Sequence, residues 1–231
     1  MNAAPSRVSA AAARAAYDLW ADTYPAVAHN PLMRLEQDIV EPILGALRPR
    51  RALDVGTGTG RYLAVLARTG AVRIVGVDFS MAMLRRANTG DGRAPMLVCA
   101  DALGLPFGRN AFDVVNASLM ACDVVDVPAW TLEMARTLAR GGHLVYSDFH
   151  PSWTEHGWTR TFRSRDGAAH DLAYAPHTID EHLAAIEAAG LRAIAIREPR
   201  FTDDADPGVK AFRRRWKNPP VVVVFHAGKE P

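Results

Sequence analysis

The residue types that could do chemistry are concentrated in one short run, residues 52–63, which spells ALDVGTGTGRYL. Its apolar start predicts a strand that ends in an acid, Asp54, and the glycines Gly56, Gly58 and Gly60 follow at alternate positions. Glycine accepts positive φ angles and lets a ligand approach the backbone closely. A helix that begins just after such a loop presents free N–H groups to the ligand. The run therefore predicts a strand–loop–helix crevice for a nucleotide.

The spacing of the glycines discriminates between types of nucleotide. A dinucleotide-binding loop has the pattern G-x-G-x-x-G, whose third glycine allows close helix packing. Arg61 occupies that third position, so the chain departs from the dinucleotide fingerprint. The next two predicted strands also end in acids, Asp78 and Asp101. Together with Asp54, they match a ligand that carries a cationic amine, a ribose diol and an adenine amine, which is the chemistry of S-adenosylmethionine (SAM).

On these residues the sequence resembles the class I SAM-dependent methyltransferases. The resemblance covers residues 45–150 and, less closely, the C-terminal third, and it is to small-molecule enzymes of the ubiquinone, biotin-precursor and natural-product type. Its motifs occur in the expected order: LDVGTGTG at 53–60, VDFSMAML at 77–84, ADAL at 100–103, FDVVNASL at 112–119 and LARGGHLV at 138–145.

The resemblance implies that the chain binds SAM and releases S-adenosylhomocysteine. In related families an N-terminal aromatic pair closes over the methionine part of SAM, and Tyr17 and Tyr24 are the candidates here. The alternative for these two is a helix stripe that packs on the core. The implied cofactor site comprises Tyr17, Tyr24, Asp54, Gly56, Thr57, Gly58, Gly60, Asp78, Phe79, Met83, Asp101, Ala102, Leu103 and Ser118.

A second group of candidate residues follows the fifth predicted strand, in the run SDFHPSWTEHGW at 147–158. The methyl group should project beside this run, and its tryptophans favour a planar or ring-containing acceptor. The residues predicted to bind the acceptor are Asp148, Trp153, His156 and Trp158.

A hydroxyl acceptor must lose a proton, and a histidine with a pKa near neutrality is suited to remove it. We predict that His150 is this base or an orienting group, with His29 as the second candidate. A carboxylate acceptor would need no base, and a lone histidine is more often structural. The spacing of His150 and His156 is not that of a zinc site, so no metal is predicted.

The composition excludes several other classes of protein. With 27 basic and 25 acidic residues the formal net charge is +2, so no nucleic-acid partner is predicted. The basic run at 213–217 is expected to be a solvated loop or helix edge. No apolar run approaches the ~20 residues that cross a membrane. Cys99 and Cys122 are expected to be reduced core or pocket residues, which favours a cytoplasmic protein. We expect a monomer or homodimer whose partner is a small-molecule acceptor.

The alternation of strands and helices from residue 52 onward predicts a parallel sheet with helices on both faces. The expected fold class is α/β, a Rossmann-like, doubly wound, seven-stranded sheet that is mostly parallel with a C-terminal antiparallel strand, plus a helical N-terminal cap. We expect one methyltransferase domain over residues 1–231. Its parts are a helical cap (1–45), a SAM-binding core (46–147), a substrate-cap insertion (148–178) and a C-terminal sheet closure (179–231). Helices are predicted at 62–68, 81–88, 129–138 and 179–189, and strands at 73–77, 95–100, 111–118, 142–147, 191–197 and 221–226.

These observations predict a SAM-dependent methyltransferase that acts on a small organic acceptor, by O- or N-methylation of a ring-containing metabolite in secondary biosynthesis. The alternative is a SAM-binding protein on the same fold that does not transfer the methyl group. The three acids predict cofactor binding in either case, and they do not distinguish the two.

Overall fold

The computed structural model describes residues 9–90, 92, 94–202 and 205–231. Its helices are α1 (Ala10–Trp20), α2 (Pro31–Leu47), α3 (Arg61–Arg68), α4 (Met81–Leu84), α5 (Val127–Thr137), α6 (Ser152–His156), α7 (Ile179–Ala188) and α8 (Pro207–Trp216). Its strands are β1 (Arg51–Val55), β2 (Arg73–Asp78), β3 (Met96–Cys99), β4 (Phe112–Ala117), β5 (Leu138–Phe149), β6 (Arg160–Arg163), β7 (Ala169–Leu172), β8 (Leu191–Arg197) and β9 (Val222–Lys229). A 3-10 turn spans Ala121–Asp123.

Seven strands form one sheet in the order β3-β2-β1-β4-β5-β9-β8. Strands β1 to β5 pair in parallel, and β9 lies antiparallel to both β5 and β8. The order reverses direction at β1 and β4, so the carboxyl ends of these two strands border a crevice in which ligands of open α/β sheets bind. The predicted Rossmann-like fold class is confirmed.

Helices cover both faces of the sheet because the side chains of each strand alternate in direction. On one face, Tyr146 and Phe225 pack with Trp130 of α5. The residues that precede them on β5 and β9, Val145 and Val224, belong to a second apolar cluster on the opposite face. That second cluster is completed by α2 and α3, which bury Leu44, Leu63 and Leu66. The near-continuous apolar runs of the central strands are the signature of strands buried on both faces.

Several boundaries differ from the pattern. The predicted helix at 81–88 ends at Leu84, and the backbone then tightens, since the N–H groups of Arg86 and Ala87 donate to the carbonyls three residues before them. Strand β5 begins at Leu138 and extends to Phe149, beyond the predicted 142–147. Cys99 is exposed, contrary to expectation, because β3 is an edge strand.

The segment after β5 contains elements that no periodicity predicted. These are the short helix α6 and a two-stranded antiparallel hairpin, β6–β7. The basic run at 213–217 forms the last turn and the C-cap of helix α8. No helix in the described ranges is long and apolar enough to cross a membrane. The division into four parts, and the single domain, stay predictions.

A buried carboxylate connects the helices of the second face to the sheet. Glu36 of α2 is fully buried, and its Oε2 accepts hydrogen bonds from Arg61 Nη1 at 2.7 Å and Tyr62 Oη at 2.8 Å. Its Oε1 accepts from Ser147 Oγ at 2.8 Å, and that hydroxyl oxygen accepts from the N–H of Leu119 at 2.8 Å. Four elements of the chain are therefore held by one side chain.

We predict that Arg61→Leu lowers the free energy of unfolding by about 3–5 kcal/mol, because Glu36 would lose its cation while staying out of water. Denaturant unfolding followed by tryptophan fluorescence measures the loss. The matched control is Arg68→Leu, which breaks the solvent-exposed Arg68–Glu41 pair between the same two helices. That change should cost no more than about 1 kcal/mol. Equal losses in the two variants would contradict the prediction.

Candidate active site

The glycine loop between β1 and α3 has the backbone that its sequence requires. Gly60 has φ +98°, and a Cβ atom there would collide with the backbone of Asn88. The N–H of Thr57 donates to the carbonyl of Val77 at 2.9 Å, which holds the loop against the end of β2. At Gly56 a Cβ atom would lie 2.5 Å from Met120 Cγ, so the side of the loop facing the crevice has no room for a side chain.

Asp54 lies beneath this loop. Its carboxylate accepts from Thr57 Oγ1 at 2.6 Å and from Asn116 Nδ2 at 2.8 Å. It is 2% exposed, and burial raises its pKa to about 6, against the lowering effect of these hydrogen bonds. In the structure Asp54 joins β1 to the loop and to β4, and its predicted contact with the cofactor amine stays a prediction. Sequence reasoning missed Asn116, because nothing in the sequence except its place in a strand motif indicates a role at this site.

Asp78 ends β2 at the edge of the crevice. Its Oδ2 accepts from the N–H of Gly58 and its Oδ1 from the N–H of Ser80, both at 2.8 Å. A carboxylate has about four acceptor sites, so two remain for the hydroxyls of a ribose. Burial is the largest cause that raises the pKa of Asp78 to about 6, and the neighbouring carboxylates of Asp123 and Asp18 add to it.

A cavity of about 300 Å³ opens at the carboxyl ends of these strands, and we call it the cofactor cavity. Three predicted residues, Asp54, Thr57 and Gly60, do not line it and support the loop from behind. Met120 and Asp123 line it and were not predicted, because the turn after β4 carries no glycine or charge pattern. The predicted residues on its wall are Tyr17, Tyr24, Gly56, Gly58, Asp78, Phe79, Met83, Asp101, Ala102, Leu103 and Ser118.

A second cavity, of about 630 Å³, lies beside the first, and we call it the acceptor cavity. The two cavities share Tyr17, Tyr24 and Leu119 as a common wall. Leu119 adopts φ +53°, which is unusual for a residue with a Cβ and occurs where surrounding contacts enforce it. Seven further aromatic side chains line this cavity: Trp20, Phe149, Trp153, Trp158, Phe201, Phe212 and Trp216.

A buried triad borders both cavities. Tyr17 Oη donates to Asp123 Oδ2 at 2.6 Å and accepts from Arg160 Nη2 at 2.6 Å, and Arg160 Nη1 donates to Asp123 Oδ1 at 2.8 Å. Burial raises the pKa of Tyr17 well above its ordinary value, so its hydroxyl stays protonated. The triad joins helix α1, the 3-10 turn and the β6 hairpin. Sequence reasoning missed Arg160, since nothing marks a lone arginine on an unpredicted hairpin.

The histidines predicted as bases occupy different places. His29 lines the acceptor cavity beside Tyr24, with ring centroids 5.8 Å apart, and partial burial lowers its pKa. His150 lines neither cavity, since its Nε2 lies 2.9 Å from Glu198 Oε2 and its Nδ1 accepts from the N–H of Ser152. The role of His150 as base stays a prediction that this geometry does not favour.

Of the four residues predicted to bind the acceptor, two line the acceptor cavity and two do not. Trp153 and Trp158 line the acceptor cavity. His156 does not line it but stacks on Trp158, with ring centroids 4.7 Å apart. Asp148 is buried and pairs with His182, whose Nε2 lies 3.0 Å from its Oδ2, so the structure places it in the core. The described residues contain no group of three potential metal ligands.

The fold and the geometry of the cofactor cavity are similar to those of the class I SAM-dependent methyltransferases. Residues 53–146 match a family model described as a methyltransferase domain. The match spans the glycine loop and the acids at the strand ends, and it supports the predicted class of methyltransferase with SAM as its cofactor.

Individual relatives agree with this class. The chain is 41% identical over 99 residues to a demethylmenaquinone methyltransferase of Corynebacterium urealyticum, which covers 43% of this chain and 41% of the relative. It is 32% identical over 149 residues to a malonyl-[acyl-carrier protein] O-methyltransferase of Halorhodospira halophila, covering 60% and 48%. The chain thus matches about half or less of these curated relatives. A SAM-dependent methyltransferase structure from Mesorhizobium loti shares the fold, with a TM-score of 0.66, 22% identity and coverage of 83% and 99%.

The residues present fit this cofactor. Gly56 presents bare backbone to the cofactor cavity, because a Cβ atom there would collide with Met120, and Asp78 keeps acceptor capacity on a buried carboxylate. Asp78 would hold the ribose, and Asp101, whose Oδ1 accepts from the N–H of Leu103, lies on the wall where the sequence predicts the adenine.

We predict that SAM affinity falls as the pH drops below about 6. Asp78, with a pKa of about 6, must be ionised to accept charge-assisted hydrogen bonds from the ribose, and protonation of Asp54, whose pKa is also about 6, would weaken its hold on the glycine loop. Calorimetric titration of SAM from neutral to mildly acid pH measures the fall in affinity.

We predict that Asp78→Asn weakens SAM binding by about 1.5–3 kcal/mol at neutral pH. The pH dependence of the affinity should be shallower in this variant. Asp113→Asn, which removes a half-buried ion-pair partner of Arg51 outside the cofactor cavity, serves as the control. An unchanged affinity in Asp78→Asn would mean that the ribose is held elsewhere.

Proposed function

We propose that this protein is a SAM-dependent methyltransferase that methylates an oxygen or nitrogen atom of a small, ring-containing metabolite in secondary biosynthesis. The observation that carries the proposal is the wall shared by the cofactor and acceptor cavities, formed by Tyr17, Tyr24 and Leu119. Because the same three side chains line both cavities, a molecule in the acceptor cavity would lie next to the cofactor.

The SAM sulfonium supplies an electrophilic methyl group when it is bound, so the protein has to align the acceptor atom and exclude water. Tyr17 and Tyr24 are suited to this work. Burial raises the pKa of both phenols, so neither loses its proton near neutrality, and they act as walls and hydrogen-bonding groups and not as bases. The ring contacts of Trp20 with Tyr17 and Tyr24, at 6.0 and 4.7 Å, fix their positions.

The lining of the acceptor cavity favours a flat, apolar ring system. Aromatic side chains gain from stacked and edge-to-face contacts with another ring. One relative is named for demethylmenaquinone and another for a malonyl group on a carrier protein. The aromatic lining supports the first kind of acceptor, a ring, over the second.

His29 is the base that the geometry supports for a hydroxyl acceptor. It lies on the acceptor cavity wall, and its lowered pKa leaves the ring neutral and able to accept a proton near pH 7. His150, outside both cavities, would have to reach the acceptor by a rearrangement of the segment after β5.

We expect the protein to transfer a labelled methyl group from SAM to at least one member of a panel of hydroxy- and amino-substituted bicyclic aromatics. Radiolabel in the extracted product measures transfer, and SAM affinity is measured in parallel by calorimetry. Tight SAM binding without transfer to any ring acceptor would favour the alternative of a SAM-binding protein that does not methylate.

We predict that His29→Gln lowers kcat for the best hydroxyl acceptor by roughly 10²–10⁴-fold and leaves SAM affinity nearly unchanged, because the proton would have no acceptor. At saturating SAM the wild-type kcat should fall as the pH drops below the lowered pKa of His29, and the variant should lose this dependence. His150→Gln is the matched comparison and should retain kcat. A large kcat loss in His150→Gln with wild-type kcat in His29→Gln would reverse the assignment.

A further inference from the structure

The basic run at the end of α8 has a position that its sequence did not suggest. Arg215 is exposed and lines the acceptor cavity, while Arg213 and Arg214 lie on the same helical turn and do not line it. Basic residues in the last turn of a helix complement the helix dipole, which accounts for the run as a whole. It does not account for the placement of Arg215 on a cavity wall.

We propose that the acceptor carries a carboxylate on its ring system and that Arg215 binds this carboxylate at the mouth of the acceptor cavity. The inference rests on the proposed function and narrows its substrate class to ring carboxylic acids. The methylated atom then belongs to another part of the acceptor, near the wall shared with the cofactor cavity, because Arg215 lines the acceptor cavity alone.

Helix α8 is held in place by contacts that leave Arg215 available. Asp206 caps its first turn by accepting from the N–H groups of Gly208 and Val209, at 2.8 and 3.2 Å. At the other end, Trp216 packs edge-on against Trp158, with ring centroids 5.4 Å apart. The guanidinium of Arg215 lies over the ring of Trp216, 4.9 Å from its centroid, so it is already aligned along an aromatic wall.

The charges around the acceptor cavity favour an anion. The described part of its lining contains two arginines, Arg160 and Arg215, and no aspartate or glutamate. Asp123 neutralises Arg160 through a buried ion pair at 2.8 Å. Arg215 has no ion-pair partner among the residues that the structure describes. An arginine fork binds a carboxylate through two parallel hydrogen bonds, and its flat face stacks on aromatic rings.

The test uses two probes of equal shape, 2-naphthoate and its neutral counterpart 2-naphthamide, titrated into the full chain with S-adenosylhomocysteine present. We expect 2-naphthoate to bind roughly threefold to tenfold more tightly than 2-naphthamide, the range for a partly exposed charged hydrogen bond. Arg215→Gln should abolish this preference, and Arg215→Lys should restore part of it, since lysine keeps the charge and loses the fork.

Arg214→Gln is the matched control, because it removes an equal charge from the same turn without touching the cavity, and it should keep the preference. The proposal is overturned if wild-type protein does not distinguish the probes, if it does not bind 2-naphthoate, or if Arg214→Gln reduces the preference as much as Arg215→Gln. Failure of the proposed function has a different signature: 2-naphthoate binds with the expected preference and no ring acceptor is methylated.

Discussion

The buried carboxylate of Glu36 is the interaction on which the geometry of the active site depends. It accepts hydrogen bonds from Arg61, Tyr62 and Ser147, and through the hydroxyl of Ser147 it reaches the N–H of Leu119. Leu119 has a positive φ, a conformation that costs free energy and needs external support. Because Leu119 forms part of the wall between the cavities, the buried side chain of Glu36 helps to set the shape of that wall.

A second group of polar side chains also supports the wall between the cavities. The triad of Tyr17, Asp123 and Arg160 joins the N-terminal helix and the β6 hairpin to the turn after β4. Its ionic members are almost fully buried, so each needs the other to stay in the protein interior. The two segments that cover the crevice are therefore tied to the sheet at one point, directly beside the shared wall.

The carboxylates of the crevice show a balance between two physical effects. Burial raises the pKa values of Asp54 and Asp78, and hydrogen bonds from the glycine loop and from Ser80 lower them. The resulting pKa is about 6 for each carboxylate, so both are ionised near neutral pH and become protonated in mild acid. Two of the donors that stabilise these charges, Thr57 and Gly58, belong to the glycine loop, so a change in the loop would alter the pKa values of both carboxylates.

The sequence by itself determined the sheet, the cofactor and the residues of the glycine loop, because strand periodicity, positive-φ glycines and acids at strand ends are local features. It did not predict the β6–β7 hairpin, Leu119 as the shared wall, or the contact of Arg160 with Tyr17, which joins residues 143 positions apart. It placed His150 at the active site by its distance from a strand end, whereas the structure brings His29 to the cavity. Such contacts were decided only by tertiary packing, since they depend on which segments meet above the sheet and not on the pattern within any one of them.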